Sequence, residues 1–336
     1  MHSPLAAATL AVKPTPWAFN PHPDVWLLIA GLVLCYFYAT RVVGPRAVAP
    51  GEPIITRSQS CWFFSGVAVL WVAVDWPLHD IAEEYLYSAH MVQHLMLTWI
   101  VPPMFLIATP EWLARLVLGK GRVYKVFRLA TLPIVAGLVY NALFAFSHWP
   151  PIVNDSVRWA GFHFGAHTVL VMSALAMWMC VCGPLKELRI ALPAQCIYLF
   201  LMSVLPTIPG GWLVFAEAVV DKSYAHPWPS LWGLTPTDDQ QLAGFIMKVV
   251  GGLYLWSIIV VLFFRWNRQN ETESDQDRRE RDHARVAAFR AAQVGAVAGS
   301  AATTAGESDE PLTFDEVSRA FAESAAPVEQ HPAPPA

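Results

Sequence analysis

The sequence predicts an all-α, polytopic membrane protein with seven transmembrane helices, a periplasmic amino terminus and a cytoplasmic carboxyl terminus. Charged residues make up 14% of the 336-residue chain, whereas soluble globular proteins contain roughly 25%. The mean hydropathy is +0.40, and the apolar residues fall into runs of the length, about 20 residues, that a membrane-spanning helix requires. Composition and run length together therefore exclude an ordinary soluble domain.

Seven apolar runs meet this length requirement. They are Asp24–Val43, Ser60–Leu78, Tyr87–Thr109, Thr131–Trp149, Ala160–Gly183, Pro193–Val214 and Ala243–Arg265. We expect Pro102 and Pro103 to kink the third helix, and Pro206 with Pro209-Gly210-Gly211 to break the sixth. Between the third and fourth runs, residues 111–118 combine a Trp, apolar bulk and an Arg, which is typical of a helix lying along the membrane interface.

The orientation follows from the lysines and arginines of the connecting loops. The first, third and fifth loops carry ten of them, whereas the amino-terminal tail and the other three loops carry three. Because basic residues concentrate in cytoplasmic loops, this alternation predicts an outside amino terminus and an inside carboxyl terminus.

Three regions follow from this topology. Residues 1–23 form a periplasmic tail without the basic and apolar regions of a signal peptide, and residues 24–265 form the seven-helix membrane domain. Residues 266–336 form a cytoplasmic tail that is dense in charges of both signs and is expected to be largely disordered, except for a short amphipathic helix over 312–325.

Two histidine pairs dominate the polar content of the apolar runs. His90 and His94 open the third run, and His163 and His167 open the fifth. Histidines four residues apart on a helix lie about 40° apart around its axis and about 6 Å apart along it, so both imidazoles can reach one metal ion. Each pair alone is also compatible with hydrogen-bonded histidines at a helix end, but two pairs at matching membrane depth favour a metal site.

Further polar residues are expected near the same outer face. His148 closes the fourth run and is the next candidate ligand. Imidazole suits copper, zinc, iron and nickel, and nearby methionines would favour Cu(I). The auxiliary or outer-shell candidates are Asp75, His79, Met91, Gln93, His226 and Asp239.

Several motifs in a fixed order carry a resemblance to a known family. They are the run from Tyr87 to Leu97 with Pro102-Pro103 and Thr109-Pro110, His148-Trp149-Pro150, His163 and His167 with Trp178 and Gly183-Pro184, and the run from Asp239 to Met247. Over residues 25–265 the chain resembles the CtaG-type, seven-helix cytochrome c oxidase assembly factors. Lys248 departs from the pattern, since an aromatic residue is expected there. Two alternatives stay open for its ammonium: it snorkels to the surface, or it pairs with Asp75, Asp238 or Asp239.

The resemblance implies a non-enzymatic protein of the bacterial inner membrane that matures haem–copper oxidases and handles copper. The ligands it implies are His90, His94, His163 and His167, followed by His148. The implied partners are the lipid bilayer and oxidase subunits or their copper chaperones. No phosphate-binding glycine loop or basic patch indicates nucleic acid or nucleotide binding.

Two other classes of function stay open at this stage. Cys61, Cys180, Cys182 and Cys196 fall near the inner helix ends, so a transporter could move Cu(I) from the outer histidines and methionines to these thiols. A redox enzyme is the other class. Two haems stacked across a bilayer need histidines far apart on one helix, whereas the two histidines of each pair are only about 6 Å apart along theirs.

Overall fold

The computed structural model describes residues 15–149, 152, 160–220, 222–224, 231–304 and 313–323, and none of these residues lies in a β-strand. The predicted all-α fold is confirmed. The helices are α1 Pro23–Ala47, α2 Arg57–Val74, α3 Leu78–Glu84, α4 Tyr87–Ala108, α5 Glu111–Leu118, α6 Arg122–Ala130, α7 Pro133–Ser147, α8 Ala160–Cys182, α9 Leu192–Val204, α10 Thr207–Phe215, α11 Pro236–Phe245, α12 Gly251–Thr304 and α13 Phe314–Glu323. Segments of π-helix lie within α1 and α4, and a third, Ile246–Val250, joins α11 to α12.

The helices are long and apolar enough for a multi-pass membrane protein. Six stretches of the described chain meet the length and hydropathy of a membrane span, and a seventh is reached if α6 and α7 count as one span bent by 67°. The predicted fourth span is the exception because α7 has only 15 residues, about 22 Å, whereas the apolar core of a bilayer is about 30 Å thick.

Two adjacent prolines explain how α4 is tied to its neighbours. Pro102 and Pro103 have no backbone N–H, so the carbonyls of Thr98 and Trp99, four residues earlier, lose their helical donors. The indole of Trp178 on α8 donates to Thr98 O at 3.0 Å, and the hydroxyl of Tyr254 on α12 donates to Trp99 O at 2.9 Å. The carbonyls freed by the prolines therefore join α4 to α8 and α12.

A third proline produces the break between α2 and α3. Pro77 leaves the carbonyl of Ala73 without its helical donor, and the amide of Gln93 on α4 donates to that carbonyl at 2.8 Å. The same amide nitrogen lies 3.1 Å from Nδ1 of His79. Gln93 is 2% exposed, so it joins the broken second span to α4 from inside the protein.

The predicted break of the sixth span lies at Pro206, whereas residues 209–211 are helical within α10. Lys248 crosses to this break, where its ammonium donates to Thr207 Oγ1 at 2.5 Å and to Ser203 O at 3.4 Å. Of the two alternatives left open for Lys248, pairing with an aspartate is wrong, because the carbonyl of Ser203 and the hydroxyl of Thr207 accept its hydrogen bonds instead. A cation is favourable at a helix carboxyl end.

The loop between the third and fourth spans contains the predicted interfacial helix. α5 has the predicted bounds, 111–118. Its Trp112 indole donates to Ile54 O at 2.8 Å, and Arg115 pairs with Glu111 at 2.6 Å and Glu187 at 2.9 Å. The position of α5 at the membrane interface stays a prediction.

The carboxyl-terminal part forms a separate compact unit from Arg268 onward. The sequence predicts a largely disordered tail over residues 266–336. In the structure residues 268–304 are helical, and α13 lies within the predicted amphipathic helix at 312–325. Opposite charges four residues apart, such as Asp277 with Arg281 and Arg278 with Asp282, favour this exposed helix. Thr313 and Glu316 cap α13, with Thr313 N donating to Glu316 Oε2 at 3.0 Å.

Candidate metal centre

The first turn of α4 is held by a carboxylate from α11. Asp239 Oδ2 accepts from the backbone N–H of Tyr87 at 2.6 Å, and Asp239 Oδ1 accepts from the backbone N–H and the hydroxyl of Ser88 at 3.1 and 2.5 Å. Amides in the first turn of a helix lack helical acceptors, and a negative charge there is favourable. Asp239, which is 3% exposed, therefore positions the start of the helix that carries His90.

Three imidazoles meet between α4 and α8. His90, His94 and His167 each offer a ring nitrogen, and these three nitrogens lie within 4.8 Å of one another. Nε2 of His94 lies 2.8 Å from Nε2 of His90, and the ring centre of His167 lies 4.7 Å from that of His94. Metal–imidazole bonds are about 2.0–2.1 Å long, so nitrogens that share an ion lie at most about 4.2 Å apart, and a small side-chain movement would let these three hold one ion with a coordination position left open. We refer to these residues as the three-histidine cluster.

The carboxylate of Glu83 on α3 lies close to one member of the cluster. Oε1 of Glu83 lies 3.3 Å from Nδ1 of His90, on the opposite side of the ring from the nitrogen that faces His94. Metal-binding histidines commonly donate their second ring N–H to a carboxylate, which fixes the tautomer and makes the ligand nitrogen more basic. The contact with Glu83 thus suits His90 as a ligand through Nε2.

A second group of donors lies beside the cluster. His148, directly after α7, is 3% exposed, and its ring centre lies 5.8 Å from that of His94. Its Nε2 lies 3.4 Å from Sδ of Met91, which is 2% exposed. His148 is therefore adjacent to the three-histidine cluster and not one of its members.

Tyr224 covers the cluster on another side. Its hydroxyl donates to Ala82 O on α3 at 2.6 Å, and its ring centre lies 5.0 Å from that of Tyr87 and 6.4 Å from that of His90. Tyr224 is 8% exposed. The aromatic ring therefore limits access of solvent to His90.

His79, an auxiliary candidate, faces a different set of partners. Its ring centre lies 5.1 Å from that of His22, and His22 Nε2 pairs with Asp80 Oδ1 at 3.0 Å. Nδ1 of His79 contacts Gln93. These contacts join the segment before α1 to α3 and α4.

Asp75 also has partners other than the histidines. Its carboxylate accepts from the indole of Trp26 at 3.0 Å, from the indole of Trp71, and from the backbone N–H of Trp76 at 2.9 Å. Asp75 thus connects α1 to the end of α2, and its expected part in orienting a histidine has no support in these contacts.

Two of the predicted site residues fall outside what the structure describes. The backbone of His163 lies in α8, but its side chain is not among the described ones, and His226 lies in a segment outside the described residues. The structure therefore brings together His90, His94 and His167 from the predicted pairs and leaves His163 as a prediction.

The cysteines form no group with metal-ligand spacing among the described residues. The thiols of Cys180, Cys182 and Cys196 each contact a backbone carbonyl oxygen, at 3.3, 3.6 and 3.8 Å, and Cys61 is exposed. Within the described part of the chain, the one group of three or more His, Cys, Asp or Glu with metal-ligand spacing is the three-histidine cluster.

Sequence reasoning missed Glu83 and Tyr224. Glu83 had a usable signal, because it stands seven residues before His90 in a loop between two apolar runs, where a carboxylate is available to a nearby imidazole. Tyr224 gave none. Its loop has no periodic pattern, and its contact with Ala82 joins residues 142 positions apart.

Comparison with known proteins gives one family and two relatives. Residues 34–269 match the sequence profile of the cytochrome c oxidase caa3 assembly factors (Caa3_CtaG). Uncharacterized proteins of Mycobacterium bovis and Mycobacterium tuberculosis are each 24% identical over 296 residues, which is 82% of this chain and 43% of the relative. The chain thus spans less than half the length of these relatives. No solved structure matches at a significant level.

Proposed function

Because the chain belongs to the cytochrome c oxidase caa3 assembly factor family, we propose that it binds copper at the three-histidine cluster and delivers it to a maturing haem–copper oxidase. The observation that carries this proposal is the convergence of His90, His94 and His167, whose ring nitrogens lie within 4.8 Å of one another. Imidazole is a common copper ligand, and copper is a metal that these oxidases need.

The geometry suits a cargo ion that has to leave. Three imidazoles leave a coordination position open, so an acceptor ligand on a partner can bind before the last histidine is released. Only the neutral imidazole binds metal, so protonation of the ligands at low pH releases the ion. The role we propose is therefore handling of a metal, without catalysis of a chemical reaction.

The proposed location is the bacterial inner membrane, with the cluster on the periplasmic side. The charge asymmetry of the loops supports this orientation, and the six or seven candidate spans support the multi-pass topology. The partners we propose are oxidase subunits, or copper chaperones that load the cluster from the periplasm.

Cells without this protein test the proposal. They should make oxidase subunits that still contain haem but have lost most of their copper, because only copper delivery is removed. Haem and copper in the purified oxidase are measured by optical spectroscopy and by elemental analysis. The wild-type gene should restore the copper, and so should a His283→Ala variant, since His283 is exposed on α12. An oxidase with its full copper content would refute the proposal.

The orientation has its own test. A reporter enzyme fused after Arg268 should be active only in the form that reports a cytoplasmic location, because the basic residues of the first, third and fifth loops predict that this end lies inside. A periplasmic reporter active at the same position would move the three-histidine cluster to the cytoplasmic side and exclude loading from the periplasm.

A further inference from the structure

The tautomer of His148 follows from its contacts. Nδ1 lies 2.7 Å from the carbonyl oxygen of Phe144, which only accepts, so Nδ1 must carry a proton. The hydroxyl of Ser147 donates to the same carbonyl at 2.8 Å and lies 3.2 Å from Nδ1. Since the proton of Ser147 is committed to Phe144 O, this second contact also requires Nδ1 of His148 to donate.

The other ring nitrogen of His148 consequently presents a lone pair. A second proton on Nε2 would create a charged imidazolium in a side chain that is 3% exposed, which is costly. Sδ of Met91 faces Nε2 at 3.4 Å and also presents lone pairs. Among the described residues, no N–H or O–H group donates to Nε2 of His148. Two buried acceptor atoms thus face each other without a proton between them.

A soft cation between these two atoms would accept both lone pairs and so remove their repulsion. Metal bonds to imidazole nitrogen are about 2.0–2.1 Å long and those to sulfur about 2.3 Å, so a nitrogen and a sulfur that share an ion lie at most about 4.4 Å apart. The separation of 3.4 Å meets this limit. Thioether sulfur favours Cu(I), whereas imidazole alone accepts several divalent ions.

We infer that His148 and Met91 form a Cu(I)-selective binding site beside the three-histidine cluster. The inference rests on the proposed copper function and adds to it the oxidation state of the ion and a thioether ligand. Met91 also lies on α4 between the two predicted ligands His90 and His94. The site is therefore built into the same helix, and the ring of His148 approaches the ring of His94 to 5.8 Å.

The test compares Met91→Leu with Met172→Leu in the purified full-length protein. Met172 is 60% exposed and serves as the matched control. Affinity for Cu(I) is measured anaerobically by competition with a Cu(I)-specific chelator, and Ni(II) serves as a probe that binds imidazole. Met91→Leu should weaken Cu(I) binding by about tenfold or more and leave Ni(II) binding unchanged. X-ray absorption of the Cu(I)-loaded wild type should show a sulfur neighbour at about 2.3 Å.

The outcomes separate this inference from the proposed function. If the wild type binds copper through nitrogen and oxygen neighbours alone, or Met91→Leu binds Cu(I) as the wild type does, the inference is wrong and the three-histidine cluster still stands as the copper site. If the wild type binds no copper, both are wrong. The absorption spectrum of the wild type gives an answer even if Met91→Leu fails to fold.

Discussion

Alanine at His94 is expected to weaken copper binding at the three-histidine cluster by about 100-fold or more while leaving the abundance of the protein in the membrane near the wild-type level. His94 is the central member of the three-histidine cluster, with Nε2 at 2.8 Å from His90 and its ring centre at 4.7 Å from His167. Loss of a residue that only supports a ligand typically costs 10–100-fold in metal affinity, so loss of a ligand should lie at or above that range.

The measurement is elemental analysis of protein purified after copper loading, together with the copper content of the oxidase from the same cells. His283→Ala is the control and should behave as the wild type in both assays, because His283 is exposed on α12. Wild-type copper content in His94→Ala would remove the cluster as the metal site. Low abundance with full activity of the remaining protein would show that His94 has a structural role only.

Replacing Asp239 by alanine should lower the free energy of unfolding more than the other substitutions proposed for this protein. Two backbone N–H groups and one hydroxyl of the first turn of α4 donate to this carboxylate. Each buried donor left without an acceptor costs about 1–3 kcal/mol, so the two amides alone predict a decrease of about 2–6 kcal/mol in the free energy of unfolding. Because His90 lies in the turn that follows, Asp239→Ala should also lower copper affinity.

Asp238→Ala is a matched control for this substitution on the same helix. The carboxylate of Asp238 caps α11 through Thr235, with Oδ2 accepting from Thr235 Oγ1 at 2.6 Å, but this contact is exposed. Loss of such a cap costs about 1 kcal/mol. Unfolding of both variants is followed in detergent micelles with increasing denaturant. Equal stability of the two variants would show that Asp239 is not the anchor of α4.

The histidine spacing predicted much of the candidate site, and the reason is local geometry. A separation of four residues fixes the relative direction of His90 and His94 on any helix, whatever surrounds it. The approach of His167 required α4 and α8 to pack against each other, and the matching membrane depth of the two histidine pairs indicated that contact. The contacts of Glu83, Tyr224 and Asp239 depend on tertiary packing between distant segments, and no spacing within one element encodes them.

The membrane spans likewise have features that local sequence predicts and features that depend on contacts between distant segments. Long apolar runs and proline positions predicted most helix bounds, because length and missing N–H groups act locally. The predicted fourth span, Thr131–Trp149, corresponds to α7 alone, and a span of sufficient length also needs α6, which meets α7 at 67°. The partners of Lys248 could not be predicted from the sequence, because its acceptors, Ser203 O and Thr207 Oγ1, lie at the break at Pro206 on a different helix.

The anchoring of α4 by Asp239 also has a consequence for biogenesis. The acceptor for the first turn of α4 lies 152 residues after Tyr87, so the ribosome finishes the helix with His90 and His94 long before it supplies that carboxylate. A nascent chain that ends before α11 has the first histidine pair but not the group that fixes its position. The first histidine pair therefore acquires the anchor of its helix late in synthesis, only after α11 has been made.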